Sequence, residues 1–380
     1  MRTRNLIFCL AGLAILAYAC SPDDETALKT AYPELPAIPY PYKVGTNDHI
    51  PTLGRVLFYD KQLSINNSIA CASCHKQELA FADNVRFSRG FENRLTTRNS
   101  MPIQNLKLGF DSIGFVIDDS RFSPTSSFLP FNFNALFWDG RETSLKSMVL
   151  KPIGNHVEMG IRKMDGLTQK LSTVPYYKDL FIKAYGTEEI TTQRIADALS
   201  SFLITITSKQ SRPEFSNIAD LGFVGETTPL TPIENKGRNL FFDTYDCNAC
   251  HQIQSPHGYV LAGTFSNIGL DVRYADSGLA GVSQKAEDNG KFKIPSLSNV
   301  ALTAPYMHDG RFETLDEVLD HYSEGIADNP NLDTRLRRNG QPLRMSIPDV
   351  DKKAIIDFLK TMTDHDMVSD PKFSNPFKAR

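Results

Sequence analysis

Hydrophobic positions along the chain follow the period of an α-helix in several segments, and no segment sustains the alternation of a β-strand. Residues 191–206 and 346–362 carry apolar side chains at spacings of three and four, so each has one hydrophobic face, and Ser346 with Asp349 predicts the start of the second helix. Residues 52–60 predict a shorter helix, and residues 231–234, T-P-I-E, predict a helix start with a capping box. The pattern indicates a mainly α-helical fold with long loops.

Several short motifs occur twice in the chain. The sequence G-R-x-L-F-x-D stands at residues 54–60 and again at residues 237–243, each time just before C-x-x-C-H. Further on, the sequence D-G-R stands at residues 139–141 and again at residues 309–311, followed by a helical pattern in both cases. Such self-similarity predicts an internal duplication, with two related helical units packed together.

The motif C-x-x-C-H is the attachment motif of c-type haem, in which the cysteines bond to the vinyl groups and the histidine ligates the iron. Two cysteines three apart lie on one side of a helical turn, which suits the separation of the two vinyl groups. Two complete motifs predict two covalently bound haem c groups. We call the groups haem 1 and haem 2, held by Cys71, Cys74 and His75 and by Cys247, Cys250 and His251.

Two other chemistries use paired cysteines. Zinc ribbons place their C-x-x-C pairs about 15–20 residues apart, whereas these two pairs lie in different halves of the chain. A redox-active C-x-x-C expects a strand–helix–strand context, which the pattern lacks. A zinc site and redox thiols are therefore the weaker alternatives.

The N-terminus and the composition indicate where the protein is located and which partners it lacks. Two arginines and an apolar run at residues 6–19 predict an export signal, and Cys20 follows in a lipobox-like context; the alternative is an ordinary signal peptide with a chance cysteine. The net charge of −3 with scattered basic residues gives no reason to expect nucleic acid. We expect a protein that is lipid-anchored, or soluble, on the periplasmic side of a bacterial envelope membrane.

A length of 380 residues accommodates two domains of ordinary size. A segment rich in proline, glycine, serine and threonine between the halves marks a boundary. The expected division is a signal peptide at residues 1–20, a tether at 21–44, an N-terminal haem domain at 45–207, a linker at 208–230 and a C-terminal haem domain at 231–380.

With these motifs the chain resembles the bacterial di-haem cytochrome c peroxidases and their MauG-like relatives. The resemblance rests on both C-x-x-C-H motifs, F-W-D-G-R at residues 137–141, V-E-M at 157–159 and A-P-Y-M-H-D-G at 304–310. It implies two cytochrome c-like domains, a peroxide reaction at haem 1 and electron entry at haem 2. The expected activity is reduction of hydrogen peroxide to water with electrons from a small cytochrome c or cupredoxin.

Other functions stay open at this point. A MauG-like oxidase would act on a protein or small-molecule partner, and a di-haem electron carrier or sensor would have no turnover. The oligomeric state, including a homodimer, also stays open.

The resemblance also implies roles for individual residues. It makes Trp138 the relay between the haems and Glu158 the acid–base residue beside bound peroxide, although a core aromatic and a solvated carboxylate are the ordinary expectations for such residues. It further implies a calcium ion held by the Asn99 side chain and the backbone carbonyls of Thr303 and Pro305. Oxygen ligands suit Ca²⁺.

The sequence departs from the family pattern near haem 1. Related peroxidases carry a histidine that blocks the peroxidatic iron until haem 2 is reduced, but no histidine stands between His75 and His156. Residues 87–93 read F-S-R-G-F-E-N, and phenylalanine cannot ligate iron. We therefore expect haem 1 to be open in the resting protein, with His156 either a second proton donor or a surface imidazole.

Tyr322 is the expected second axial ligand of haem 2. A helix predicted to begin after Thr314 carries Tyr322 on its apolar face, with His321 rotated about 100° away. By resemblance, MauG-like members have tyrosine at this position and other members methionine. The competing ligands are Met307 and Met345.

Overall fold

The computed structural model describes residues 49–106, 135–208, 230–251 and 265–377. The predicted signal peptide, the lipidation site Cys20 and the tether lie outside these residues. Helices of the first half are α1 (His49–Tyr59), α2 (Leu145–Met148), α3 (Leu150–Gly154), α4 (Met164–Ser172), α5 (Pro175–Tyr185) and α6 (Thr192–Thr205). Helices of the second half are α7 (Pro232–Asn239), α8 (Asn248–His251), α9 (Ala280–Ser283), α10 (Leu315–Asp320) and α11 (Asp349–Lys360).

Besides isolated β-bridges, these ranges contain only two short pairs of strands. Strands β1 (Phe265–Ser266) and β2 (Phe292–Lys293) are antiparallel, as are β3 (Arg337–Arg338) and β4 (Gln341–Pro342). The expectation of a mainly helical fold is therefore confirmed. None of the described helices combines the length and the apolar composition needed to cross a membrane.

Each half is built on a pair of helices in unusually close contact. A Cβ atom added at Gly54 of α1 would lie 1.9 Å from the Ala198 carbonyl oxygen of α6. A Cβ atom added at Gly237 of α7 would lie 1.9 Å from the Ala354 carbonyl oxygen of α11. Only glycine allows backbones to approach this closely, so both repeated G-R-x-L-F-x-D motifs position a helix crossing.

Most of the helix starts follow the sequence pattern, and one differs. The Thr191 side chain caps α6, and Thr231 with Glu234 forms the predicted capping box of α7. Helix α11 instead begins at Asp349 after Pro348. Ser346 has a left-handed backbone with φ of 48°, and its hydroxyl donates to Glu324 Oε1 at 2.9 Å, so the predicted cap at Ser346 was wrong.

Two hydrophobic cores correspond to the two helix pairs. The first gathers apolar side chains of α1 to α6. The second gathers those of α11 with Leu240 and Phe241, which follow α7, and Leu319 of α10. Met367 and Phe373 belong to the first core, and the Arg55 guanidinium donates to the Ser374 carbonyl at 2.6 Å. The last described residues therefore cross back onto the first half, although the sequence pattern groups them with the second.

Candidate functional site

The first C-x-x-C-H motif forms a tight turn that fixes His75. The turn Cys71–Ser73 is a 3₁₀ helix, and the His75 amide donates to the Cys71 carbonyl at 3.0 Å. Ala80 and Phe81 adopt left-handed conformations that bring the Phe81 carbonyl 2.9 Å from His75 Nδ1. When Nδ1–H donates to a carbonyl, Nε2 keeps its lone pair and the ring orientation is fixed, as in a histidine that ligates iron.

The second motif has the same arrangement. The His251 amide donates to the Cys247 carbonyl at 3.1 Å, and His251 Nδ1 lies 3.2 Å from the Pro295 carbonyl. Both histidines are therefore prepared in the same way to present Nε2 to a metal.

A large cavity of about 550 Å³ opens beside the second motif, and we call it the second cavity after that motif. Cys247, Cys250 and His251 line it together with many apolar side chains, and a volume of this size suits a large organic cofactor. Lys293 also lines the cavity, has no acidic partner among the described residues, and has its pKa lowered to about 8 by burial. A mostly apolar cavity with an uncompensated cation fits haem, whose apolar ring carries two carboxylates.

The thiols themselves do not fit the two weaker alternatives. Burial raises the pKa of Cys71 and of Cys247 to about 12 in each case, whereas reactive redox thiols have a lowered pKa. Within the described ranges, no group of three or more His, Cys, Asp or Glu side chains could hold a metal ion. Zinc and dithiol chemistry are therefore unsupported in this part of the chain.

Glu158 lies close to the first motif. Burial raises its pKa, while Arg141 and the hydrogen bond from Asn155 Nδ2 to Oε1 at 2.8 Å oppose that effect. The pKa of the Cys74 thiol is raised mainly by burial and in small part by the Glu158 charge, which indicates proximity. The site therefore combines a haem-attachment motif with a half-buried, oriented carboxyl group.

The segment that lacks the family's histidine packs directly on Glu158. The Phe91 amide donates to the Glu158 carbonyl at 2.8 Å, and a Cβ atom at Gly90 would lie 2.1 Å from the Val157 carbonyl oxygen. The side chain of His156 is exposed, and its carbonyl accepts a hydrogen bond from Arg94. The His156 imidazole is therefore open to solvent, whereas the Glu158 carboxyl group is half-buried.

Trp138 lies in the wall of the second cavity and is linked to the first motif. Its indole Nε1 donates to the Asn99 carbonyl at 2.9 Å. The next residue, Ser100, donates to the Cys74 carbonyl at 3.0 Å and lies 3.4 Å from His75 Nδ1. A short covalent and hydrogen-bonded route therefore joins Trp138 to His75.

Tyr322 and both competing methionines line the second cavity. Tyr322 stands in a π-helical turn, His321–Gly325, that continues α10. Every other described tyrosine hydroxyl is hydrogen-bonded, whereas that of Tyr322 has no such partner among the described residues. His321 faces elsewhere, with Nε2 2.9 Å from the Ile268 carbonyl.

The three residues predicted to hold calcium all line the same cavity. Asn99 is buried, and its Nδ2 donates to the Val85 carbonyl at 3.1 Å. The Asn99 amide also donates to the His308 carbonyl at 2.7 Å, which joins the two halves. Asn99, Thr303 and Pro305 therefore all belong to the wall of this cavity.

Several residues of the site were not found from the sequence. Lys293 supplies a cation to the cavity, Asn155 orients Glu158, and Arg98 bridges Asp139 at 2.6 Å and Asp276 at 2.7 Å. Arg98 could have been found from the sequence, because it directly precedes Asn99, which the resemblance singles out. Lys293 offered none, because lysine is ordinarily a surface residue.

Comparison with known proteins agrees with this geometry. A family model described as di-haem cytochrome c peroxidase matches residues 49–216. The crystal structure of a MauG-like protein associated with microbial copper homeostasis matches with a TM-score of 0.69 at 31% identity, covering 90% of this chain and 98% of that chain. The methylamine utilization protein MauG of Methylorubrum extorquens is 28% identical over 360 residues, which cover 93% of this chain and 89% of that protein.

The cytochrome c551 peroxidase of Nitrosomonas europaea is 28% identical over 277 residues, which cover 72% of each protein. The motifs, the cavity and these similarities agree with one another. The chain belongs to the di-haem cytochrome c peroxidase family, to which MauG is related, and this family implies two haem c groups.

Proposed function

We propose that the protein is a di-haem c peroxidase that reduces hydrogen peroxide to water with electrons from a small periplasmic cytochrome c or cupredoxin. The observation that carries the proposal is the half-buried Glu158 carboxyl group beside the first haem-attachment motif, because an electron carrier has no use for an acid–base residue there. Haem 1, when bound, supplies the iron at which peroxide is reduced. All other steps below concern side chains of the chain.

Glu158 is the proposed acid–base residue. It takes the proton from the near oxygen of peroxide and returns it to the far oxygen, so that water can leave. Burial raises the pKa of Glu158, which brings the proton affinity of the carboxylate closer to that needed for both transfers near neutral pH. Asn155 holds Oε1 in place during the exchange.

Trp138 is the proposed electron relay between the two halves. The indole lines the second cavity and is joined through Asn99 and Ser100 to His75. A buried aromatic ring on a short bonded route is suited to carry one electron at a time toward the peroxide site.

Tyr322 is the proposed second ligand of haem 2. Tyr322 lies in the cavity wall, and its hydroxyl lacks a hydrogen-bond partner in the described residues, unlike the hydroxyls of the other described tyrosines. A tyrosinate favours ferric iron and lowers the haem potential, whereas methionine raises it. This ligand favours the second candidate function, a MauG-like oxidase that acts on a protein or small-molecule partner, over a carrier without turnover.

We also propose a calcium ion at the boundary between the halves, held by Asn99 Oδ1 and the carbonyls of Thr303 and Pro305. Their common position at the cavity wall supports the proposal. Chelation followed by Ca²⁺ readdition should reversibly change electron transfer between the haems, and an Asn99→Ala variant should no longer respond. If chelation has no effect on the native protein, the calcium proposal fails.

The chain is further proposed to be a lipoprotein on the periplasmic side of the envelope, with the domain division given by the sequence and an internal duplication behind its two halves. The equal glycine contacts at Gly54 and Gly237 support the duplication.

The lipid anchor is tested by the variant Cys20→Ser, which should release the protein into the soluble periplasmic fraction. A native protein that is already soluble would contradict the lipid anchor.

The central experiment is a steady-state peroxide assay with several reduced cytochromes and cupredoxins as donors. Peroxide-dependent oxidation of at least one donor supports the peroxidase, and its absence with every donor favours the MauG-like candidate or a carrier. Extraction with acidified acetone is the companion test, because all haem should stay on the protein. Extractable haem, or bound zinc in its place, would contradict the proposed cofactor.

A further inference from the structure

A buried carboxylate and two tyrosines form a cluster near the first motif that the proposed peroxide reaction does not use. Asp60 is buried at the end of α1, and its Oδ2 accepts hydrogen bonds from the hydroxyls of Tyr176 and Tyr177, both at 2.6 Å. The other oxygen, Oδ1, accepts from the Gln62 amide at 2.8 Å. Two phenols therefore share one carboxylate oxygen as their common hydrogen-bond acceptor.

The cluster leads from the haem 1 motif toward the surface. Tyr177 is fully buried in the core against which Cys71 packs, and Cys71 contributes to the electrostatic surroundings of Tyr177. Tyr176 is half-buried in the same core. The two rings are 4.8 Å apart between centroids, which is direct contact.

Within the described ranges, the second half forms its helix pair without an equivalent of this cluster. Asp60 ends the first copy of G-R-x-L-F-x-D, and its counterpart Asp243 in the second copy is exposed. Helices α7 and α11 nevertheless make the same glycine contact as α1 and α6. The first half, which is proposed to react with peroxide, therefore has this cluster, and the second half has no equivalent at Asp243 among the residues that the structure describes.

We propose that Tyr177 and Tyr176 form a second electron route to haem 1, with Asp60 as the proton acceptor. The proposal rests on the proposed peroxide reaction, and hydrogen peroxide is the oxidant. Tyr177 gives one electron to the oxidised haem 1 site while its O–H proton passes to Asp60 Oδ2. Tyr176 then gives an electron to the Tyr177 radical, Asp60 returns its proton to Tyr177, and the proton of Tyr176 takes its place.

The net result is a neutral radical on Tyr176 and a proton on Asp60. Before a second oxidation, Asp60 releases its proton to solvent and the electron donor of the proposed peroxidase reduces Tyr176 again, with a proton from solvent. Two electrons delivered in this way and two protons from solvent convert one hydrogen peroxide into two waters. The shared oxygen suits this exchange, because a proton taken from one hydroxyl can be returned to the other from the same atom. Burial, with the Asp60 charge as a further cause, raises the pKa of both phenols, so an electron leaves either ring together with its proton.

The test uses the fully oxidised holoprotein, mixed with hydrogen peroxide and frozen within milliseconds for electron paramagnetic resonance. Ring-deuterated tyrosine identifies a tyrosyl signal by the loss of its hyperfine structure. We expect a tyrosyl signal in the native protein, loss of the signal in Tyr177→Phe, and a signal of altered hyperfine pattern in Tyr176→Phe. Asp60→Asn keeps a hydrogen-bond acceptor but is a poor proton acceptor, so the signal should also be lost there.

Tyr185→Phe is the matched control. Tyr185 lies on the same helix, and its hydroxyl also bonds to a carboxylate, Asp197 Oδ2 at 3.0 Å, but it is about 12 Å along the helix axis from Tyr177. The tyrosyl signal should persist in this variant. A signal that persists in Tyr177→Phe as well, or is lost in the control, would overturn the assignment.

The haem spectrum and the tyrosyl signal together distinguish failure of the tyrosine route from failure of the proposed peroxidase function. A haem spectrum that changes with peroxide but no tyrosyl signal overturns the tyrosine route and leaves the peroxidase intact. A haem spectrum that does not change overturns both. If a variant loses its haem, peptide mass spectrometry of the native protein after peroxide treatment decides, since oxidised or cross-linked Tyr176 and Tyr177 are expected and unmodified residues would contradict the route.

Discussion

The two halves of the molecule share a scaffold and differ in what is attached to it. Leu136 pairs with Glu142 in the first half just as Tyr306 pairs with Phe312 in the second. Inside these loops Phe137 and Met307, at matching positions, both have left-handed backbones, with φ of 64° and 75°. These two loops therefore have similar backbones, whereas the side chains that they carry differ.

The residue at the centre of each loop illustrates the difference. Trp138 donates its indole N–H to Asn99 and lines the second cavity. Its counterpart His308 stacks on Phe292 with centroids 3.6 Å apart, and burial lowers its pKa to about 4, so it is neutral near pH 7. One loop offers an oxidisable ring, and the other a packed, uncharged one. The two loops therefore differ in their side chains rather than in their backbone conformation.

The largest expected effect is confined to the first half. Glu158→Gln should keep both haems but slow the reaction with peroxide by about 10²-fold or more, since it removes the acid–base group. The Glu158 carboxylate acts as the base, so the native rate should fall as the pH is lowered through its pKa. Because burial raises this pKa, the fall should begin at a higher pH than for an ordinary glutamate. The variant should lose this pH dependence. Single-turnover kinetics across pH measure both.

His156→Gln is the control for this prediction, because its exposed side chain lies two residues away. Its peroxide rate should match that of the native protein. An equal loss in both variants would mean that the segment, rather than the carboxyl group, matters.

A second comparison targets the shared scaffold. Gly54→Ala and Gly237→Ala each place a methyl group within 1.9 Å of a carbonyl oxygen on the partner helix. Each should lower the free energy of unfolding by about 1–3 kcal/mol, because the helices must move apart. Chemical denaturation measures the effect.

Gly166→Ala in α4 is the control for both variants, since nothing lies within 4 Å of its Cβ position. It should be neutral or slightly stabilising. If only one of Gly54→Ala and Gly237→Ala is strongly destabilising, the two helix crossings are not equivalent.

The smallest expected effect on peroxide reactivity belongs to the second half. Tyr322→Phe should alter the low-spin ferric signal of haem 2 while leaving the rate of the first peroxide reaction at haem 1 within a few-fold of the native value. Electron paramagnetic resonance of the resting protein measures the first, and stopped-flow spectroscopy the second. An unchanged haem 2 signal would move the ligand to Met307 or Met345.

The sequence predicted those parts of the molecule that depend on local chemistry. The apolar period of residues 191–206 predicted α6, and T-P-I-E predicted the capping box of α7, because both follow from contacts within a few residues. The haem motifs were equally local. The resemblance supplied Glu158 and Trp138, whose ordinary expectation from composition was a surface acid and a core aromatic.

Features that depend on distant contacts were not predicted. The acceptor of Tyr176 and Tyr177 lies at Asp60, far earlier in the chain, and the tail around Phe373 packs on the opposite half. The left-handed conformation of Ser346 is imposed by its surroundings, because its residue type favours a helix cap. Such contacts are set by packing, which has no period along the sequence.

The most direct test of the difference between the halves is to mix the fully oxidised protein with hydrogen peroxide and follow the haem absorption in a stopped-flow spectrometer. With haem 1 open and haem 2 ligated by Tyr322, a rapid spectral change should occur without prior reduction. A resting protein with two low-spin, six-coordinate haems that stays inert to peroxide until reduced would contradict the open site. A methionine-to-iron charge-transfer band would contradict the tyrosine ligand.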